Sequence, residues 1–150
     1  MTDHPRPFGF AGSAPPRRVL FLCTHNSARS QIAEALARSI APEGAQVWSA
    51  GSEPGTLHPM AVEVLKEIGV DASDQRAKRI DEIPWAEADT VVTLCAEADE
   101  SCPTLGESVR RVHWPLPDPS RTPEPARLDA FRATRDEIRW RVSSLWPGGS

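Results

Sequence analysis

The sequence has no tyrosine, 6% aromatic residues overall and three cysteines in 150 residues. Each scarcity excludes something. An odd cysteine count does not fit a disulfide-stapled scaffold, and leaves thiol chemistry, metal binding or core filling. No apolar run approaches the roughly 20 residues of a membrane-spanning helix. The first sixteen residues hold no apolar segment behind their positive charges, so no secretory leader is expected and the chain is expected to act in the cytoplasm. Basic residues do not predominate: 17 Lys and Arg against 21 Asp and Glu give a net charge of −4. That balance argues against a nucleic-acid surface, though a local site for a small anion can oppose the global sign.

The length suits one domain with one core. Four prolines fall within residues 1–16, mixed with Gly, Ser and Ala, so this stretch is read as a mobile extension and residues 17–150 as a single domain. From Val19 to Cys23 the chain is continuously apolar, the pattern of a strand buried on both faces. Ile32, Leu36 and Ile40 then recur at helical spacing until Pro42. Gln46 to Ala50 reads as a second strand. Ala61, Val64, Leu65 and Ile68 make the apolar stripe of a helix that opens at Pro59 and ends at Gly69. A short helical stretch is expected at 79–83, strands at Thr90–Cys95 and Val109–Trp114, and a stiff surface loop at 115–125, which holds five prolines. Leu128, Phe131, Ile138, Val142 and Leu145 mark a closing helix. Strands alternating with helices predict an α/β fold: a four-stranded parallel sheet flanked by helices on both faces, with its ligand site at the carboxyl ends of the strands. Cys23 and Cys95 fall at two such ends.

The segment Cys23-Thr24-His25-Asn26-Ser27-Ala28-Arg29-Ser30 joins a buried strand to an amphipathic helix. In that setting the backbone N–H groups of the loop can converge on a tetrahedral oxyanion, with the positive end of the helix dipole behind them. Arg29 adds a planar fork able to take two anion oxygens, and the same field favours a thiolate at Cys23. A nucleophile attacking an oxyanion also needs an acid for the departing oxygen. Asp118, held between Pro117 and Pro119 just after the fourth strand, is the candidate.

These residues carry a resemblance. The loop Cys23–Ser30, the Asp118-Pro119 pair and the strand order are similar to the low-molecular-weight protein tyrosine phosphatase fold. More narrowly, Val-Thr-Leu-Cys95, Cys102-Pro103 seven residues later, His113-Trp114 before Asp118-Pro119, Ser49-Ala50-Gly51 and Arg135-Asp136-Glu137-Ile138 resemble the thioredoxin-coupled arsenate reductases built on it. The resemblance implies that Cys23 attacks arsenate, the loop from Thr24 to Ser30 holds its oxygens, and Asp118 protonates the leaving oxygen. It further implies that Cys95 attacks Cys23 to expel arsenite and that Cys102 attacks Cys95. The redox arithmetic agrees: reducing As(V) to As(III) takes two electrons, which one thiol pair going to a disulfide supplies. The seven-residue span from Cys95 to Cys102 reaches about 24 Å if extended, so it is expected to coil in the reduced state and to loosen as the bond forms. Its acidic residues Glu97, Asp99 and Glu100 suit a mobile loop.

Four departures from that pattern matter. Position 25 is His where many related loops have Gly, so a positive φ there would be awkward, and Ala28 replaces a cysteine that some relatives carry. Some relatives bind potassium through residues matching Asn26, Glu34, Ser49 and an acidic position; here Lys78 takes the last place, and its ammonium is expected to pair with Glu34 instead of a cation. The aromatic wall that receives a phosphotyrosine ring is missing, since Ser120 and Arg121 follow Asp118-Pro119. The cysteine spacing matches no zinc motif. No metal or tightly bound cofactor is expected, only electrons from thioredoxin. The expected partners are arsenate, with phosphate and sulfate as competing oxyanions, and thioredoxin, with the chain acting as a monomer away from nucleic acid and membrane. Two other readings stay open: a phosphatase of the same fold, and a non-enzymatic arsenite-binding sensor.

Overall fold

Arg18–Cys23 forms the central strand β1, and every residue in it after Arg18 is buried, as its unbroken apolar run requires. The computed structural model describes residues 14–95 and 108–147. In chain order β1 is followed by α1 (Arg29–Ile40), β2 (Gln46–Gly51), α2 (Pro59–Lys66), β3 (Thr90–Thr93), β4 (Arg110–His113) and α3 (Arg127–Val142). The four strands make one parallel sheet in the order β2-β1-β3-β4. From β1 the chain crosses to β2 on one side, while β3 and β4 lie on the other. The connections therefore diverge between β1 and β3, and in such sheets the crevice at the carboxyl ends of the diverging strands takes the ligand. Cys23 ends β1, and Cys95 lies two residues beyond β3.

The core is built from the predicted faces. Ile32, Ala33, Leu36 and Ala37 of α1, Ala61, Val64 and Leu65 of α2, and Phe131, Ile138 and Val142 of α3 are buried with β1 and β3. Phe21 and the fully buried Trp114 meet at a ring-centroid distance of 6.3 Å. The three helices touch one another, and α1 also packs on β1 and β2. The crossover from β3 to β4, residues 96–107, lies outside the described residues.

Several expected ends move. β3 leaves the ladder after Thr93: Leu94 still donates to Leu22 O at 2.9 Å, but its own carbonyl accepts from Leu116 N at 3.1 Å, which ties the segment after β4 to the end of β3. α2 stops at Lys66, and the chain turns through Gly69 at φ +80° with Val70 N closing back on Leu65 O. Residues 79–83 form only a 3-10 turn, Ile80–Glu82, because Pro84 has no N–H to continue it. The proline-rich loop contains a further 3-10 turn, Pro119–Arg121. At the amino end, Pro16 is buried and its carbonyl accepts from Trp146 Nε1 at 2.8 Å, while Asp89 Oδ2 takes the N–H groups of Arg17 and Arg18. Pro16 is thus packed against the described body at Trp146.

Candidate active site

The loop after β1 is held from outside by its carbonyls. Thr24 O, His25 O and Ser27 O accept from the N–H groups of Glu53, Gly55 and His58, each at 2.9 Å. The amides of residues 24–28 donate to no carbonyl among the described residues, which leaves them to an anion. Behind them α1 starts at Arg29 with no acidic residue in its first turn and no side-chain cap, so its orphan donors and positive dipole end are also unspent. Gly51 makes this packing possible. A Cβ there would lie 2.6 Å from Thr24 O and 2.9 Å from Asn26 N.

Within the loop the positive φ falls at Asn26 (+49°), not at His25. Asn tolerates that conformation, and its side chain secures it. Asn26 is fully buried; its Nδ2 donates to Ser30 Oγ (2.7 Å) and Ser49 Oγ (3.0 Å), and its Oδ1 accepts from Lys78 N (2.9 Å) and Gln31 Nε2 (3.0 Å). Its side chain is therefore scaffold, and only its backbone is left to a ligand. Ser30, expected among the substrate contacts, turns its hydroxyl to Cys23 Sγ at 2.8 Å. Because Asn26 already donates to Ser30 Oγ, the Ser30 proton is free to point at the sulfur. His25 lines the cleft, with Nδ1–H donating to Glu53 O at 3.0 Å. Ala28 is buried at the entry to α1, its carbonyl accepting from Ile32 N.

Ser49 carries the network to a buried charge. Its hydroxyl donates to Glu34 Oε1 at 2.5 Å, and Glu34, 2% exposed, is neutralised by Lys78 Nζ at 3.4 Å and Arg38 Nη2 at 2.8 Å. Burial pushes the Lys78 ammonium below the usual lysine range, with Glu34 pulling the other way. Gln31, which the sequence reading did not single out, is fully buried and joins the Asn26 carbonyl to Arg76 O and Gln75. Its only signal was a polar residue beside an apolar helix face.

A cleft of about 400 Å³ opens over the loop, lined by Thr24, His25, Arg29, Cys95, Asp118 and Arg121 with Pro115, Leu116 and Pro117. Arg29 is aimed by a hydrogen bond from Nη1 to Leu116 O at 2.8 Å, and its Nη2 lies 3.8 Å from Asp118 Oδ2. Asp118 caps the 3-10 turn after it, accepting from Ser120 N. Burial pushes its carboxyl up, but the Ser120 hydrogen bonds together with Arg29 and Arg121 outweigh that and hold it below the usual aspartate range. Cys95 is buried, with its Sγ 3.3 Å from Thr24 Oγ1. The residue after Cys23 thus touches the second thiol. The structure brings Arg29, Cys95 and Asp118 to one cleft, with the buried Cys23 next in the chain to Thr24 of its lining, and Cys102 lies outside the described residues. No group of three or more His, Cys, Asp or Glu that could hold a metal gathers among the described residues.

Residues 18–147 match the family model described as low molecular weight phosphotyrosine protein phosphatase. The arsenate reductase of Brevibacillus brevis is 43% identical over 129 residues, 86% of this chain and 93% of the relative. Among solved structures, an arsenate reductase in the oxidized state superposes with a TM-score of 0.75 at 30% identity, covering 86% of this chain and 95% of that one. The thioredoxin-dependent arsenate reductase of Corynebacterium glutamicum superposes with a TM-score of 0.67 at 31% identity, covering 90% of this chain and 64% of that one.

Proposed function

The chain belongs to the low molecular weight phosphotyrosine protein phosphatase family, and on that premise we propose that it reduces arsenate to arsenite by a thiol relay. One observation carries the reading beyond the family. Cys95, a second thiol, lines the same cleft as Arg29 and Asp118 and touches Thr24, the residue after the nucleophile. A phosphatase needs one thiol, whereas a two-electron reduction needs two.

The chemistry follows from the placement. Cys23 Sγ, beside the Ser30 hydroxyl, attacks arsenic while the loop amides, the α1 N-terminus and Arg29 take the charge on the remaining oxygens. Asp118 gives its proton to the departing oxygen, which leaves as water. Cys95 then attacks Cys23 Sγ. The sulfur–arsenic bonding pair goes to arsenic, As(V) becomes As(III), and arsenite leaves as the Cys23–Cys95 disulfide forms. Attack of Cys102 on Cys95 releases Cys23 as thiolate and places the disulfide at Cys95–Cys102 for an external dithiol to reduce. Thioredoxin is the donor that the solved Corynebacterium relative supports. No bound cofactor enters any step, and the compartment proposed is the reducing cytoplasm. Among the described residues the cleft lining contains no Phe, Trp or Tyr, which argues against a phosphotyrosine ring as substrate.

The test is arsenate-dependent NADPH oxidation with thioredoxin and thioredoxin reductase. Wild type is expected to turn over many times, and Cys23→Ser, Cys95→Ser and Cys102→Ser each to stop. Wild-type turnover by Cys102→Ser would refute the relay. Efficient aryl phosphate hydrolysis lost only in Cys23→Ser would restore the phosphatase reading.

A further inference from the structure

The two oxygens of Asp118 have different surroundings. Oδ1 accepts from Ser120 N at 3.0 Å and from Ser120 Oγ at 2.7 Å. Oδ2 faces Arg29 Nη2 at 3.8 Å and Arg121 Nε at 3.9 Å, on the cleft side. We infer that Ser120 is a positioning residue for the general acid: its two donors occupy Oδ1, reserve Oδ2 as the oxygen that carries the proton, and keep the carboxyl ionised until an oxyanion fills the loop. The inference rests on the proposed role of Asp118.

An oxygen that already accepts two hydrogen bonds is a poor place for a proton, because the new O–H would have to displace a donor. Protonation is thereby directed to Oδ2, which is also the oxygen nearer the anion-binding guanidinium. The same two bonds fix the plane of the carboxyl group, so that the proton is presented in one direction. Pro119, buried at the first position of the 3-10 turn, keeps Ser120 in register with the aspartate.

Ser120 also sets when the proton is present. Hydrogen bonds to a carboxylate favour the ionised form, and the net direction at Asp118 is downward. The other charges facing this carboxyl are Arg29 of α1, Arg121 of its own turn, and His58 before α2, which senses Asp118 and, from α3, Arg127. An oxyanion in the loop engages Arg29 and adds negative charge opposite Oδ2. Both effects raise the proton affinity of that one oxygen, so the acid is armed by the substrate it serves.

The experiment is carboxyl-carbon NMR of the protein labelled with carbon-13 aspartate, with Asp118→Asn identifying the resonance. Wild type is compared with Ser120→Ala, which removes the hydroxyl, and Ser120→Thr, which restores it. The Asp118 titration midpoint is expected to rise by about half a pH unit or more in Ser120→Ala, the loss of one charge-assisted hydrogen bond at a half-exposed site. In Ser120→Thr it is expected to stay with wild type. In single-turnover arsenite formation the alkaline limb should move up with the same midpoint, and the limiting rate should fall several-fold at unchanged KM. A Ser120→Ala titration that superimposes on wild type overturns the inference, as does a threonine variant that behaves like alanine. The NMR arm needs no turnover, so a wild type that makes no arsenite defeats the reading of the reaction and not the titration.

Discussion

Asn26 joins Ser30, the hydroxyl partner of Cys23, to the second strand and the Lys78 backbone through one fully buried side chain. Asn26→Ala would strand these groups without a partner and place an alanine at positive φ. The expected loss is about 2–4 kcal/mol, from unsatisfied buried hydrogen-bond groups plus left-handed strain, read as a lower denaturation midpoint at unchanged slope. Asn26→Gly would relieve only the strain, so a glycine variant as stable as wild type would contradict the bridging role. At this scale the spacing of Cys23 and Arg29 and the position of Asp118 singled out the candidate site in the sequence, because a strand–helix junction offers free amides and a positive dipole end to an anion. The sequence raised the question of a positive φ at His25, where it would be awkward, and the left-handed residue lies at Asn26. The bonds that decide it come from Glu53, Gly55 and Lys78, and no local pattern reports partners that distant.

Between elements, two contacts hold the site in place. Gly51 at the end of β2 lets the loop approach to within what would be 2.6 Å of a Cβ, and the obstacle is backbone that cannot swing away. Gly51→Ala is expected to cost about 1–3 kcal/mol from overpacking and to weaken oxyanion binding, measured by thermal melts with and without phosphate. An alanine variant with wild-type stability and affinity would contradict the close approach. The second contact is the clasp of α2 to α3: Glu67 meets Arg132 at 2.7 Å and Arg135 at 2.8 Å, and Arg135 also donates to Val64 O. The Arg132 hydrogen bond is the main force holding Glu67 below the usual glutamate range, against an upward push from desolvation and with help from Arg135. A carboxyl depressed in the folded state stabilises above its unfolded pKa, and that contribution is lost as pH falls through the folded value. Melting temperature should therefore fall on acidification below about pH 4.5, the usual glutamate range, and Glu67→Gln should start lower and fall less over that window. The strands and helices were legible because their apolar periodicity is local; their ends were not. β3 stops at Thr93 because Leu116 claims the Leu94 carbonyl, a tertiary event.

For the molecule as a whole, the divergence of connections between β1 and β3 gathers thiol, guanidinium and carboxyl at one rim, and this much followed from the order of strands and helices. The buried Glu34, by contrast, shows how the scaffold balances its charge only once α1 and the 76–78 segment are seen together. Lys78 Nζ at 3.4 Å and Arg38 at 2.8 Å already neutralise it, so the set does not fit a potassium site. Exchanging potassium for sodium at constant ionic strength is expected to leave kcat/KM unchanged, and a several-fold response would contradict this. The central claim is the relay itself, and one measurement reaches it most directly. Reduced protein is mixed with excess arsenate and no reductant, arsenite is counted, and the disulfide is mapped by mass spectrometry after acid quench. The account predicts one arsenite per chain and a Cys95–Cys102 bond with Cys23 returned to the thiol form. Arsenite without that bond, or a final Cys23–Cys95 bond with Cys102 reduced, would contradict it.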